Sequence, residues 1–441
     1  MHLGVGGFHR SHQAVYLDQL ADLDPALGWS VTGMGLRSCG NREDLLAQDC
    51  LYTVLERGDH GESARVVGVM RDYLSAASDR AAAMGVLSDP RTQLVTVTVT
   101  APTYGSDPAP DDVFNLLAGA FEARRRRGAG PVTVLSCDNL RRNGDTTRTR
   151  VLAAAADRSD ALASWIEYRV AFPNSMVDRI TPPPAPRDSR YLRRRYGLHD
   201  RVPVVTEAFR QWVVEDSWAA DRPRLEEVGM TLTTDVGPFV DLKTRVLNGA
   251  HLALGFLSTA TGHTTAQEAM ADHDLRSAVE RMLSREVRPG LPAVPGVDVA
   301  DYVRLTLARV AQPGVADPLS RLRRRGSVRM REYLLPSLEA ALADRRDHEV
   351  MLRVLVEWIR HLERAAAEVT EGRATAAEVA DRLAEPLARE LLPLASRAHR
   401  DVRPFLAAVP GLDRLTTHVE FTAALQQRLT VQEVRTRATA S

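Results

Sequence analysis

The chain has 441 residues, 44% of them hydrophobic, enough for two or three folded domains with packed cores. Acidic and basic residues balance at 57 each, which argues against a nucleic-acid partner, because such partners select a net basic face. No apolar run approaches the roughly eighteen residues of a membrane span, so no membrane association is expected. The three cysteines, Cys39, Cys50 and Cys137, are odd in number and lack a CxxC pair, a usage that fits the reducing cytoplasm.

The chain opens inside its first expected strand, Met1 to Val5. No signal peptide precedes it, and the abrupt start reads as a version of the chain lacking a short N-terminal segment. A helix period runs from Ser11 to Leu23. Trp29 to Leu36, Leu51 to Glu56 and Arg65 to Val69 read as strands. The clearest strand is Leu94 to Thr100, β-branched and bounded by Pro90 and Pro102. A helix from Asp111 to Arg127 then leads into a strand at Pro131 to Ser136. Such alternation marks a parallel sheet wrapped by helices. Beyond about residue 240 strand signals stop, and amphipathic helices follow, such as His348 to Glu368 and Thr375 to Glu385, with Thr375 as N-cap. The expected fold is therefore α/β: a Rossmann-type dinucleotide-binding domain over 1–237, then an all-helical substrate domain over 238–441. The arginine runs Arg124 to Arg127 and Arg193 to Arg195 are expected at helix ends or on solvated faces.

Two segments of the first domain carry chemistry. Gly4-Val-Gly6-Gly7-Phe8-His9-Arg10 follows the first strand and opens a helix, the context in which glycines let backbone approach a pyrophosphate. His9 stands where the dinucleotide fingerprint has its third glycine, and a purely structural turn is the competing reading. The next strand ends in Arg37 with no acidic residue at its tip, so NAD and NADP both stay open, since arginine there accepts a 2′-phosphate. Ser136-Cys-Asp138-Asn139 lies at the carboxyl end of another parallel strand, where ligands of open sheets bind. A turn or helix cap would equally use Asp138 and Asn139.

The third segment holds the single lysine. Against 56 arginines the chain keeps one lysine, Lys243, in Lys243-Thr-Arg-Val-Leu-Asn248-Gly-Ala-His251. A lysine amine can be desolvated until it gives up its proton near neutral pH, which arginine does not do. At about 100° per residue, His251 lies roughly 80° around a helix from Lys243 and Asn248 about 140°. Leu242, Val246, Gly249, Ala253 and Phe256 form an opposite, core-facing stripe. Metal-ligand spacings such as HExxH and serine-nucleophile motifs such as GxSxG are missing. Hydride transfer with a lysine base is the most economical use of what remains.

These segments, with Gln48-Asp-Cys-Leu-Tyr-Thr53, Phe172-Pro-Asn-Ser-Met-Val-Asp178 and Glu207-Ala-Phe-Arg-Gln-Trp212, resemble the mannitol dehydrogenase family of polyol-specific long-chain dehydrogenases. The family includes mannitol 2-dehydrogenase and fructuronate reductase. The resemblance implies a metal-independent NAD(P)-dependent oxidoreductase of the cytoplasm, a monomer or weak oligomer, with its active site between the domains. It interconverts a secondary alcohol of an open-chain sugar alcohol or aldonate with the ketose or keto-uronate. By motif, Lys243 is the general base, Asn139 and Asn248 hydrogen-bond the reacting oxygen, and His251 and Asp178 hold substrate hydroxyls. Arg321 and Arg329 reach the substrate's far end, and Gly4, Gly6, Gly7, Phe8, Arg37 and Asp138 fall to the cofactor.

Three departures stand out. Thr100-Ala101-Pro-Thr-Tyr104 lacks a carboxylate that the family carries, Val240 replaces an acidic residue three before the lysine, and Arg325-Gly-Ser327-Val-Arg329 has arginine for the family's lysine. A catalytically lapsed nucleotide-binding protein of the same fold is the alternative that the truncated first strand and the altered Thr100 to Tyr104 segment motivate. Six arginines between Arg321 and Arg331 tilt the expected substrate toward an acid, fructuronate with mannonate, because guanidinium grips carboxylate in two-point fashion. A solvated arginine face competes with that reading.

Overall fold

Six parallel strands carry the first part of the chain, and they end where a glycine or a polar side chain draws the backbone away. The computed structural model describes residues 1–36, 41–58, 61–99, 101–105, 112–312, 314 and 317–440. In chain order the strands are β1 (His2–Leu3), β2 (Val31–Gly35), β3 (Tyr52–Gly58), β4 (Gly61–Val67), β5 (Met70–Ser75) and β6 (Leu94–Val97). They continue with β7 (Val132–Ser136), β8 (Val170–Ala171), β9 (Ser175–Asp178), β10 (Val204–Glu207), β11 (Gln211–Glu215) and β12 (Thr231–Thr233). The main sheet has the order β5-β2-β1-β6-β7-β8, every pair parallel. Counted among themselves these are strands 3-2-1-4-5-6, the doubly wound dinucleotide-binding order. Two three-stranded sheets, β10-β3-β4 and β12-β11-β9, complete the unit.

Side chains alternate across the main sheet. On β6, Val95 and Val97 enter one core with Leu3, Met34, Val132 and Val134, while Leu94 turns to the other with Val31, Met70 and Leu135. This is the period-two pattern of a sheet covered on both faces. Helix Val113–Arg126 fills the first core with Phe114, Leu117 and Phe121. On the other side α1 (Gly7–Ser11) leads into α2 (Gln13–Leu23), which contributes Val15, Tyr16 and Leu20.

Several boundaries differ from the sequence expectation, each for a local reason. β1 stops at Leu3 because Gly4 sits at φ +98°, and the Gly4 and Val5 amides both donate to the Met34 carbonyl at 2.8 and 3.2 Å. The helix expected from Ser11 starts earlier and breaks at His12 (φ −118°, ψ −86°). β6 ends at Val97 because the Val99 amide donates to the Asp138 carboxylate instead of a neighbouring strand. Thr100 lies outside the described residues. β8, β9, β10 and β12 have four residues or fewer, too short for periodicity to resolve. Arg124, expected on a solvated end, is fully buried and donates to the carbonyls of Leu87, Asp89, Thr92, Gly130 and Pro131.

The chain divides into two units, Met1–Val240 and Asp241–Ser441. The second is helical throughout its described residues apart from loops and two isolated bridges. Its longest buried helix is Glu349–Thr370, and Ala376–Leu383 begins with a Thr375–Glu378 capping box, as the spacing predicts. Among the described residues no helix is long and apolar enough to cross a membrane.

A Cβ on Gly4 would overlap the carbonyl oxygen of Thr98, the residue after β6, at a φ that L residues rarely adopt. Gly4→Ala is therefore expected to cost more than about 2 kcal/mol of stability, read as a lower denaturation midpoint in urea. An unchanged midpoint would show that the turn relaxes without the sheet.

Candidate active site

In the first unit the glycine turn divides its labour. Gly4 is fixed by the sheet, whereas a Cβ on Gly6 would meet nothing nearer than the Gly4 carbonyl at 3.9 Å, and one on Gly7 only the Thr181 methyl at 3.9 Å. Space therefore lies open over Gly6 and Gly7, the cradle that a dinucleotide's phosphates need. Phe8 stacks on His12 at 4.9 Å between ring centroids. His9, at the third-glycine position, is buried and stacked on His2 at 3.5 Å, and burial holds its pKa well below the usual histidine value. It is a packing residue. Arg37 lies outside the described residues.

Asp138 follows β7 and binds β6 to it. Its carboxylate accepts the Val99 amide at 3.0 and 3.1 Å and the Tyr104 hydroxyl at 2.8 Å. Tyr104, the residue closing the segment that departs from the family, also touches Ser136 Oγ at 2.9 Å; burial first, and then the Asp138 charge, push its phenol well above its ordinary pKa. Asn143 secures the same corner, donating to the Asp138 and Ser175 carbonyls at 3.0 Å each. Asn139, next in sequence, is exposed. Asp178, at the end of β9 opposite Gln211, is buried. Its neighbour Arg179 donates to the Glu207 carbonyl, the Ser11 carbonyl and the Glu56 carboxylate, fixing β9 against α1.

In the second unit Lys243 ends helix Gly237–Lys243 and is 7% exposed. The helix does not continue at α spacing. Thr244–Asn248 is a π turn, with the Gly249 amide donating five residues back to the Thr244 carbonyl. One extra residue in the turn sets everything after it back by about 100°. Asn248 thus comes from about 140° to about 40° of Lys243, and His251 from about 80° to about 20° on the other side. The wide turn brings all three onto one face. The Asn248 Nδ2 is buried with no hydrogen-bond partner among the described residues. Leu242, Val246, Gly249, Ala253 and Phe256 are all buried, but the wide turn divides them, so they do not form the single stripe that α spacing predicts. Val240, at the family's acidic position, is buried too.

Two further π turns, Met282–Val287 and Met330–Leu334, pack against the first. Each runs directly into a residue preceding proline, Pro289 and Pro336, whose ring cannot accept the carbonyl four residues back and whose nitrogen carries no hydrogen. Widening the turn relieves that clash. No proline explains the turn after Lys243; its packing against the other two holds it.

His251, Arg321 and Arg329 share one electrostatic cluster with two residues the sequence did not single out, Asp317 and Tyr333. Burial pulls the His251 pKa down to about 4; Asp317 opposes this, and Arg321, Arg309 and Arg329 reinforce it. Arg321 Nε donates to Asp317 Oδ1 at 2.7 Å, and its Nη2 donates to Oδ2. The signal for this pair was present as oppositely charged residues four apart. Arg329 is positioned by the preceding turn, where Gly326 lies against the Trp358 indole and the Ser327 amide and hydroxyl both donate to Glu385. Its Nη1 donates to the Leu322 carbonyl at 2.6 Å. Of the other arginines in this run, Arg323 donates to the Gly255 carbonyl at 2.6 Å and Arg331 pairs with Glu332. Among the described residues no group of His, Cys, Asp and Glu could hold a metal ion.

Comparisons with known proteins agree with these features. Residues 1–227 match the model of the mannitol dehydrogenase Rossmann domain and residues 235–431 that of the mannitol dehydrogenase C-terminal domain. The chain belongs to the mannitol dehydrogenase family. It is 39% identical over 382 residues to mannitol 2-dehydrogenase of Cereibacter sphaeroides, covering 82% of this chain and 80% of that one. It is 36% identical to mannitol dehydrogenase 2 of Saccharomyces cerevisiae, covering 82% and 77%. Among solved structures it resembles Pseudomonas fluorescens mannitol 2-dehydrogenase in ternary complex with NAD and D-mannitol, with TM-score 0.84, 33% identity and 97% and 90% coverage. A substrate-free D-sorbitol dehydrogenase matches with TM-score 0.77, 28% identity and 93% and 94% coverage.

The depressed pKa of His251 is directly measurable. The ring is expected to stay neutral from pH 8 down to about 5, read as an imidazole NMR signal that is absent in His251→Asn and does not shift over that range. Titration near the ordinary histidine value would mean the ring is solvated.

Proposed function

We propose that the protein is an NAD-dependent polyol dehydrogenase that interconverts a secondary alcohol of an open-chain sugar alcohol with the corresponding ketose. The observation that carries this reading is the π turn, which gathers a lysine amine, a partnerless buried amide and a neutral imidazole on one helix face. Family membership and relatives named for mannitol oxidation agree with it. The open cradle over Gly6 and Gly7 fits a dinucleotide, with Phe8 beside it. When bound, the nicotinamide supplies the hydride acceptor.

In oxidation, neutral Lys243 Nζ takes the proton of the reacting hydroxyl, and in reduction the protonated amine returns it. Asn248 Nδ2 donates to the oxygen as negative charge develops there, and Asn139 serves as a second donor. Neutral His251 and Asp178 hold substrate hydroxyls, while Arg321 and Arg329 receive the far end. Asp138, with both carboxylate oxygens engaged by Val99 and Tyr104, acts on the cofactor site by fixing the ends of β6 and β7. A neutral polyol is favoured over the acid that the arginine run suggests, because Arg321 already pairs with a carboxylate. A lapsed nucleotide-binding protein is the rival. It predicts no nicotinamide absorbance change with any polyol or ketose, with NAD or NADP.

Lys243→Arg is expected to keep the fold and cofactor binding but lose roughly 10²–10⁴-fold in turnover, because guanidinium does not deprotonate. In the native enzyme, oxidation should rise with pH through one ionisation and reduction should fall through it. Near-native turnover in the variant removes the lysine assignment.

Gly6→Ala should leave the urea midpoint close to native, since its Cβ has room, yet weaken NAD binding by filling the cradle. Fluorescence titration with NADH reads the difference; unchanged affinity would move the cofactor away from this turn.

A further inference from the structure

Within the polyol reading above, one buried carboxylate stands beside groups assigned to the substrate, and that reading gives it no role beyond its pairing with Arg321. Asp317 is 1% exposed. Its backbone is pinned at the residue itself and just after it: its carbonyl accepts the Ala266 amide at 2.9 Å, and the Leu319 amide donates to the Thr264 carbonyl at 2.9 Å. From that fixed point its two oxygens take the Nε and Nη2 hydrogens of Arg321. That is one of the two edges on which a guanidinium offers a parallel pair of N–H groups to a ligand carboxylate.

We propose that Asp317 determines substrate class at this site, by holding Arg321 in a neutral pair that serves hydroxyl groups and turns away carboxylates. Arg321 has five N–H donors and gives two of them to Asp317, so three stay available for uncharged oxygens. The pair carries no net charge, and its carboxylate repels an anionic ligand. Arg323 and Arg329 give donors to the Gly255 and Leu322 carbonyls, and Arg331 pairs with Glu332, so Arg321 is the cation of this run that the buried Asp317 neutralises. His251 adds no charge at neutral pH. The arginine-rich run between residues 321 and 331 therefore reads in sequence as an acid-binding patch and in structure as a site for a neutral chain of hydroxyls. Asp317 acts through Arg321, as a positioning and specificity residue.

The test compares kcat/KM for D-mannitol and for its acid, D-mannonate, with NAD in the native enzyme and two variants. Native enzyme should prefer mannitol. Asp317→Asn releases the Arg321 charge and should raise the mannonate-to-mannitol ratio about tenfold or more, chiefly through a lower KM for the acid. Arg321→Gln, which leaves Asp317 alone, should lower the ratio, and this arm stands even where Asp317→Asn folds poorly. A merely structural Asp317 would reduce activity on both substrates together and leave the ratio unchanged. An unchanged ratio in folded, NAD-binding Asp317→Asn overturns the inference, as does a native preference for mannonate or a raised ratio in Arg321→Gln. Should native enzyme oxidise neither compound, the polyol reading fails and takes this inference with it; mannitol oxidation with a ratio that does not respond defeats the inference alone.

Discussion

One widened helical turn decides which side chains of the second unit share a face with Lys243. With ordinary α spacing, Lys243, Asn248 and His251 would spread over more than a third of the helix circumference, and no single ligand oxygen would meet all three. The additional residue in Thr244–Asn248 closes that spread. A π turn forfeits good hydrogen-bond geometry and persists only where the surroundings insist on it. Here the surroundings are two more π turns, each followed within a few residues by a proline that an undisturbed α-helix would not accommodate. The prolines shape the surface on which the lysine's helix must lie.

The first unit meets a different constraint, the need to finish parallel strands without leaving backbone amides unpaired. Gly4 turns at once beneath the Thr98 carbonyl, and the Val99 amide finds the Asp138 carboxylate. Tyr104 and Asn143 then complete the corner at the carboxyl ends of β6 and β7. Strand termination here falls to a glycine turn after β1 and a carboxylate after β7.

Arginine serves three separate purposes in this chain. Arg124 and Arg179 are buried fasteners that collect backbone carbonyls, a task for which a fixed charge and five donors suit them. Arg321 and Arg329 stand in the cluster around His251, one of them matched by Asp317. Most others face solvent. A count of arginines in a segment therefore says little about local charge until the carboxylate opposite each is known.

Much of this was legible in the residues themselves. Alternating strands and helices, LVTV at Leu94–Val97, the Thr375 capping box and the glycine turn follow from local sterics and periodicity, and the sequence motifs sufficed for the family. Lys243 could be found because lysine occurs once. Other features were decided only by the fold. The break at His12 and the end of β6 at Val97 go with contacts between residues far apart in sequence, and the burial of His9 against His2 needs the chain to turn at Gly4. The π turn depends on neighbouring helices, so no reading of Lys243 to His251 at α spacing could place those side chains correctly. Within the arginine run, Arg321 is paired by Asp317, four residues before it. Spacing made that pair available, but only burial of the carboxylate and its anchoring at Thr264 and Ala266 made it fixed.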